Sequence, residues 1–146
     1  MNDAGNEPPA TGAEAGEEER IVLATVQRLL DTVASHDMDE MSKILLPEGH
    51  AVQSRDHQIS HTQLANFAEK IPTGPARLEE RFYNPLVRVD DDIAMVWAHY
   101  DFLVGGKVHH WGTNIVSFLK QNGRWRVSGI ADNGRTGPRP EDWEKT

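Results

Sequence analysis

The sequence predicts an α+β domain, with helices in its first half and an antiparallel sheet in its second. Three observations carry that reading. Val22, Val26, Leu29, Leu30 and Val33 recur at the three- and four-residue spacing of an amphipathic helix. Residues 77–89, 92–104, 107–120 and 124–132 are rich in Val, Ile, Trp, Tyr, Phe and Thr, the composition of strands. Between them stand Asp90-Asp91, Gly105-Gly106 and Asn122-Gly123, and the last two pairs tolerate the positive φ of two-residue hairpin loops. A length of 146 residues suits one domain.

Residues 1–17 hold Gly, Pro, Ala and acids without apolar periodicity and are expected to be a disordered acidic tail. The first helix should start near Glu18, where three glutamates favour its N-terminal dipole. Asp37 has the place of an N-cap, with Glu40 three residues on, opening a second helix through Met38, Met41, Ile44 and Leu45 that Pro47 and Gly49 end. Residues 50–54 can form a short strand. Ser60-His61-Thr62-Gln63 has capping-box spacing for a third helix through Leu64, Phe67 and Ala68 to about Lys70, closed by Pro72, Gly74 and Pro75. The domain therefore spans residues 18–136. Residues 137–146 read as a C-terminal tail with Trp143 as a candidate docking anchor.

Composition excludes several function classes. Six acids against Arg20 place −5 of the net charge of −8 in the first twenty residues. The remainder leaves no basic face, so nucleic acid is not an expected partner. The absence of cysteine excludes disulfides, thiolate metal sites and a thiol nucleophile. No apolar run approaches a membrane span, and the acidic N-terminus lacks the basic and apolar regions of a signal peptide, so the expected location is cytoplasmic.

The two tight turns set a register. A loop at Gly105-Gly106 puts Val104 opposite Lys107, and strict pairing then sets Asp101 opposite His110, His99 opposite Gly112 and Trp97 opposite Asn114. One face then carries Met95, Trp97, His99, Asp101, His110, Gly112, Asn114, Val116, Phe118 and Val127, and reads as a core opening into a pocket. The other carries Val96, Ala98, Tyr100, Phe102, His109, Trp111, Thr113 and Ile115, an apolar patch expected to meet a second chain as a homodimer. A bulge would reverse every residue beyond it.

Helices followed by a long sheet ending in "NGRWRVSGI" resemble the nuclear transport factor 2-like superfamily, over about residues 18–136. The carriers are "LLDTVASHDMDEMSKILLP", "VWAHYDFLVGGKVHHWGTNIVSFLK" and "GRWRV". The resemblance implies a cone-shaped roll in which three N-terminal helices pack on a curved antiparallel sheet, as in SnoaL-like cyclases, scytalone dehydratase and ketosteroid isomerase. Aligned on scytalone dehydratase, its pocket asparagine falls on Asn114 and a pocket serine on Gly112. One catalytic histidine falls on Trp97, the other near Phe82, and its tyrosine and aspartate near Val33 and Ala34. The dehydratase catalytic set is therefore not shared. Asp132 matches a pocket-lining position, although strict alternation puts it on the other face.

Asp101 beside His110 would fix the imidazole tautomer and raise its pKa, which suits general acid–base work; the same pair also reads as a solvated charge pair at a hairpin end. His99 is a second proton carrier, and Asp132 a third candidate. Trp97 and Met95 would form an apolar wall, Asn114 would orient a substrate oxygen, and Phe82 and Tyr83 lie on the first long strand, whose register is open. No HExxH, phosphate loop or dinucleotide motif occurs, so no metal or cofactor is expected. Two function classes remain. One is a cofactor-independent cyclase, dehydratase or isomerase acting on a small, largely apolar secondary-metabolite-type molecule. The other is a non-catalytic ligand-binding or scaffold protein.

Overall fold

The computed structural model describes residues 12–143. Helix α1 (Gly12–Ser35) begins six residues before the expected start. Of the tail expected over residues 1–17, the first eleven lie outside the described residues. Val22, Val26, Leu29, Leu30 and Val33 are all buried, so the predicted stripe is the face that α1 turns to the sheet. Its first turns are tied to the far end of the sheet, where the Glu18 carboxylate accepts hydrogen bonds from Lys120 Nζ at 3.0 Å and Trp125 Nε1 at 3.2 Å.

Helix α2 (Met38–Ile44) is capped as expected, with the Glu40 N–H donating to Asp37 Oδ1 at 3.1 Å. It ends at Ile44, and Pro47 and Gly49 lie within the first strand rather than terminating a helix. The strands are β1 (Leu45–Arg55) and β2 (Gln58–Gln63), then β3 (Leu78–Asp90), β4 (Ile93–Val104), β5 (Lys107–Gln121) and β6 (Arg124–Gly134). The last four match the predicted segments within two residues. Ser60–Gln63 belong to β2 and cap nothing, because they pair with β1 from His50 to Gln53. The third helix is a 3₁₀ turn, Leu64–Lys70, without a side-chain cap. Thus two helices, not three, precede the sheet.

The sheet has the order β2-β1-β6-β5-β4-β3. It is antiparallel except where β1 runs parallel to β6, a departure from the expected all-antiparallel sheet. Both hairpin loops form as expected, with φ of 60° and 82° at Gly105-Gly106 and 53° and 79° at Asn122-Gly123.

Three bulges in the ladders from β3 to β6 then change the register. On β5, Leu103 pairs with Val108 but Phe102 pairs with His110, so His109 is an extra residue. On β6, Phe118 pairs with Val127 and Ser117 with Gly129, making Ser128 extra. On β3, the step from Tyr83 to Leu86 spans only His99 to Trp97, with Asn84 at φ 48°. Each bulge reverses facing beyond it. The helix-facing side is therefore Ala94, Val96, Ala98, Tyr100 and Phe102 on β4, and the β5 set His110, Gly112, Asn114, Val116 and Phe118.

Met95, Trp97, His99 and Asp101 lie on the outer face, contrary to the strict count. The C-terminal segment crosses that face. Trp143 is 5 % exposed and packs on Tyr83, His99 and Trp111 at ring separations of 5.2–5.7 Å, so the tail is docked through its candidate anchor. Beneath it the fully buried Asp101 carboxylate accepts from Arg81 Nε at 2.9 Å and Nη2 at 2.6 Å, from Tyr83 OH at 2.9 Å, and from Arg139 Nη1. These bonds to Asp101 raise the Arg81 pKa further above its ordinary value. Asp101 is thus a structural tie between β3, β4 and the C-terminal segment. Removing a buried ion-pair partner costs roughly 3–5 kcal/mol, and the half-exposed arginines here can turn to water, so Asp101→Ala should lose about 2–3 kcal/mol. Urea denaturation checks this, with a red shift of native tryptophan emission as Trp143 undocks.

Candidate active site

Between α1, the 3₁₀ helix and the inner face of the sheet lies a cavity of about 360 Å³. Leu29, Leu30, Val33, Phe67, Ile71, Phe82, Val116 and Ile130 make its apolar wall. The polar groups come from strands: Gln53 and Arg55 on β1, Glu80 on β3, Tyr100 on β4, His110 and Asn114 on β5, Asp132 on β6. The bulges bring them to one side. Gln53, Asp132 and Asn114 form a continuous row across β1, β6 and β5.

Asp132 is the centre of this set. Its Oδ1 accepts from Tyr100 OH at 2.9 Å and from the Gly134 N–H at 3.1 Å, and its Oδ2 from Gln53 Nε2 at 2.6 Å. Arg55 Nη1 stands 3.5 Å from Oδ1 and donates to the Tyr100 oxygen at 3.2 Å. Burial, then the Asp132 charge, pushes the Tyr100 phenol pKa well up, so it stays a donor.

Glu80 lies across from this group. Asn114 Nδ2 donates to its Oε2 at 3.4 Å, while Asn114 Oδ1, in a residue 4 % exposed, has no hydrogen-bond partner among the described residues. Burial, reinforced by the negative charge of Asp132, pushes the Glu80 carboxyl up to about 8, so it is a neutral acid at neutral pH. His110 is held the other way. Burial first, then Arg55 and His109, lower its ring to about 3, so it is a neutral imidazole. It stacks on Phe102 at 5.0 Å, and its Nδ1 lies 3.0 Å from Nδ1 of His109. Both histidines line the cavity, a consequence of the bulge, where the strict count had put them on opposite faces.

Of the residues singled out from sequence, Asp132, His110, Asn114 and Phe82 line the cavity; Asp101, His99, Trp97, Tyr83 and Met95 do not. The Asp101–His110 pair is not formed, since Asp101 pairs with Trp111 and faces outward. His99 instead contacts Thr113 Oγ1 at 2.9 Å. Asp132 reaches the cavity through the Ser128 bulge, as the resemblance required. Glu80, Tyr100, Arg55 and Gln53 were not singled out. Glu80 was legible in principle, standing two residues before Phe82 on the same strand face.

Residues 22–129 match the SnoaL-like domain, and the chain belongs to that family. Solved structures share its fold. A Mycobacterium tuberculosis protein of unknown function superposes with TM-score 0.69 at 16% identity, covering 96% of this chain and 83% of that one. The association domain of C. elegans CaMKII gives 0.68 at 15%, covering 82% and 97%. An NTF2-like protein of unknown function from Pseudomonas putida gives 0.67 at 12%, covering 90% and 94%. No curated protein matches significantly. Among the described residues, no three His, Asp or Glu groups gather as a metal site, and no helix is long and apolar enough to cross a membrane.

The two displaced groups act oppositely on stability. The folded state holds the Glu80 proton up to about 8 against 4.5 unfolded, so this contribution is full below pH 4.5 and is lost as pH rises toward 8. His110 takes up its proton only near 3 against 6.5 unfolded, so its contribution is present above pH 6.5 and is lost as pH falls toward 3. Urea midpoints should therefore peak at about pH 5–6. Glu80→Gln should flatten the decline between pH 6.5 and 8, and an unchanged slope in that variant contradicts the assignment.

Proposed function

We propose that the protein is a cofactor-independent acid–base enzyme of lyase or isomerase type, acting on a small, largely apolar molecule in this cavity. The observation that carries the reading is a pair of carboxyl groups whose surroundings set them apart. Glu80 keeps its proton to about pH 8, while Asp132 presents oxygens to which every neighbour donates. A carboxyl that keeps its proton at neutral pH beside a cavity is suited to act as a general acid. In the proposed step Asp132 removes a proton from a substrate carbon, and Glu80 gives one to the oxygen where charge develops. His110, neutral and beside the cavity, is a second acceptor. The orphan Asn114 Oδ1 accepts a hydrogen bond from a substrate hydroxyl, so the side chain expected to support an oxyanion instead offers an acceptor. The hydrophobic walls exclude water.

The test is deuterium wash-in. A panel of small apolar ketones and β-hydroxy ketones is incubated with the protein in D₂O, and α-carbon exchange is followed by NMR. Acid–base groups typically supply 10²–10⁴-fold, so Asp132→Asn should slow exchange by about that factor and Glu80→Gln by about tenfold to a hundredfold. His99→Ala, on the outer face, should leave it unchanged. One observation favours the second reading, ligand binding without turnover: four donors already engage Asp132. Binding of the panel without exchange in the parent protein would select it.

The protein is also proposed to be a homodimer through the outer face, with a different set of residues from the strict count. Leu86, Trp97, Ile115, Ala131 and Val52 form one row across five strands, all exposed. Ile93 and Leu119 extend it, and such a patch is too apolar to be left to water. Ile115→Lys should give monomers in sedimentation at micromolar concentration with the cavity exchange retained, whereas a monomeric parent would defeat the assignment.

A further inference from the structure

Four charged residues line the cavity. Its charged lining is Arg55, Lys70, Asp132 and Glu80, and Asp132 is matched by Arg55. Burial keeps Glu80 protonated at neutral pH, so it adds no charge. The Lys70 ammonium, exposed at the end of the 3₁₀ helix, has no ion-pair partner among the described residues. One cation is therefore in excess. Arg55 also has unused capacity. Only Nη1 is engaged, with Tyr100 and Asp132; Nη2 and Nε carry no hydrogen bond among the described residues and are not shut away from solvent. The guanidinium lies over Gly134, where a β-carbon would collide with Nη1, so the missing side chain makes its seat. A guanidinium fixed on one edge and open on the other has the fork that grips a carboxylate through two donors.

We infer that the natural ligand of this cavity is an organic monocarboxylate with an apolar body, its carboxylate held between Arg55 and Lys70 at the mouth and its body against Leu29, Val33, Phe82 and Val116. This rests on the reading of the cavity as the ligand site and adds the class of ligand. A dicarboxylate does not fit, since the second charge would meet Asp132 or the apolar wall. A cation or amine does not fit, because Lys70 and Arg55 in the lining would repel it.

The test is calorimetric titration of the parent protein with decanoate and with decanol at pH 7 and low salt. Decanoate should bind with one site per chain and about 10- to 100-fold more tightly than decanol, the range that charge-assisted hydrogen bonds give. Lys70→Gln, an exposed substitution that leaves the fold intact, should weaken decanoate several-fold and leave decanol unchanged. Lys107→Gln, outside the cavity, should change neither. Equal affinities, or tighter binding of decanol, overturn the carboxylate assignment and leave the cavity reading standing. Loss of decanoate affinity equally in Lys107→Gln overturns it also, by showing diffuse surface attraction. If neither probe binds, the inference fails, and the exchange assay on Asp132→Asn still decides the cavity reading.

Discussion

Side chains on a strand alternate, so one extra residue decides which half of everything beyond it meets the core. This chain places such residues at His109 on β5, Ser128 on β6 and around Asn84 on β3. The cavity depends on them. Without the His109 bulge, strict pairing from the Gly105-Gly106 turn would set Trp111 and Thr113 beside Tyr100 and Ala98 and turn His110 and Asn114 away from the cavity. Without the Ser128 bulge, Asp132 would point outward and leave Tyr100, Gln53 and Arg55 with no common acceptor. The Ser128 bulge has its own requirement: β1 comes so close that a side chain at Gly49 would collide with the Ser128 carbonyl and with Leu64.

The two faces of the sheet then divide the acidic chemistry between them. Outside, Asp101 is fully buried yet compensated by two arginines and a tyrosine, and it closes the C-terminal segment onto β3 and β4. Inside, the partly buried Glu80 has, among the described residues, only a long contact from Asn114, and it keeps its proton. The same carboxyl chemistry gives a structural tie where cations surround it and a titratable acid where they do not. Burial alone distinguishes neither case; the neighbours do.

The cavity itself is made of elements with different degrees of fixation. Its strands are tied by sheet ladders, and α1 is anchored at one end through Glu18 to Lys120 and Trp125. Its remaining wall is the short 3₁₀ helix and the Ile71–Pro72 turn, where His36 Nε2 meets the Pro72 carbonyl at 2.9 Å.

The sequence by itself determined the α+β class, the buried stripe of α1, the Asp37 cap and four strands with their two primed turns, and it named Trp143 as a candidate anchor. Each of these follows from local physics: periodicity, cap chemistry, positive φ, or the size of an aromatic ring. Of the residues it singled out, Asn114 and His110, and by resemblance Phe82 and Asp132, line the cavity. Only the tertiary structure decided which face of β4 is inside, because both of its faces are apolar enough to be core and the bulges leave no local composition signal. The 3₁₀ character of residues 64–70, the strand fate of Ser60–Gln63 and the parallel β1–β6 pairing were settled in the same way, by partners distant in the chain. The acid and the cation of the proposed site, Glu80 and Arg55, are ordinary surface residue types in sequence. Their roles arise from burial beside Asp132 and from the space that Gly134 leaves, and neither exists until the sheet has closed.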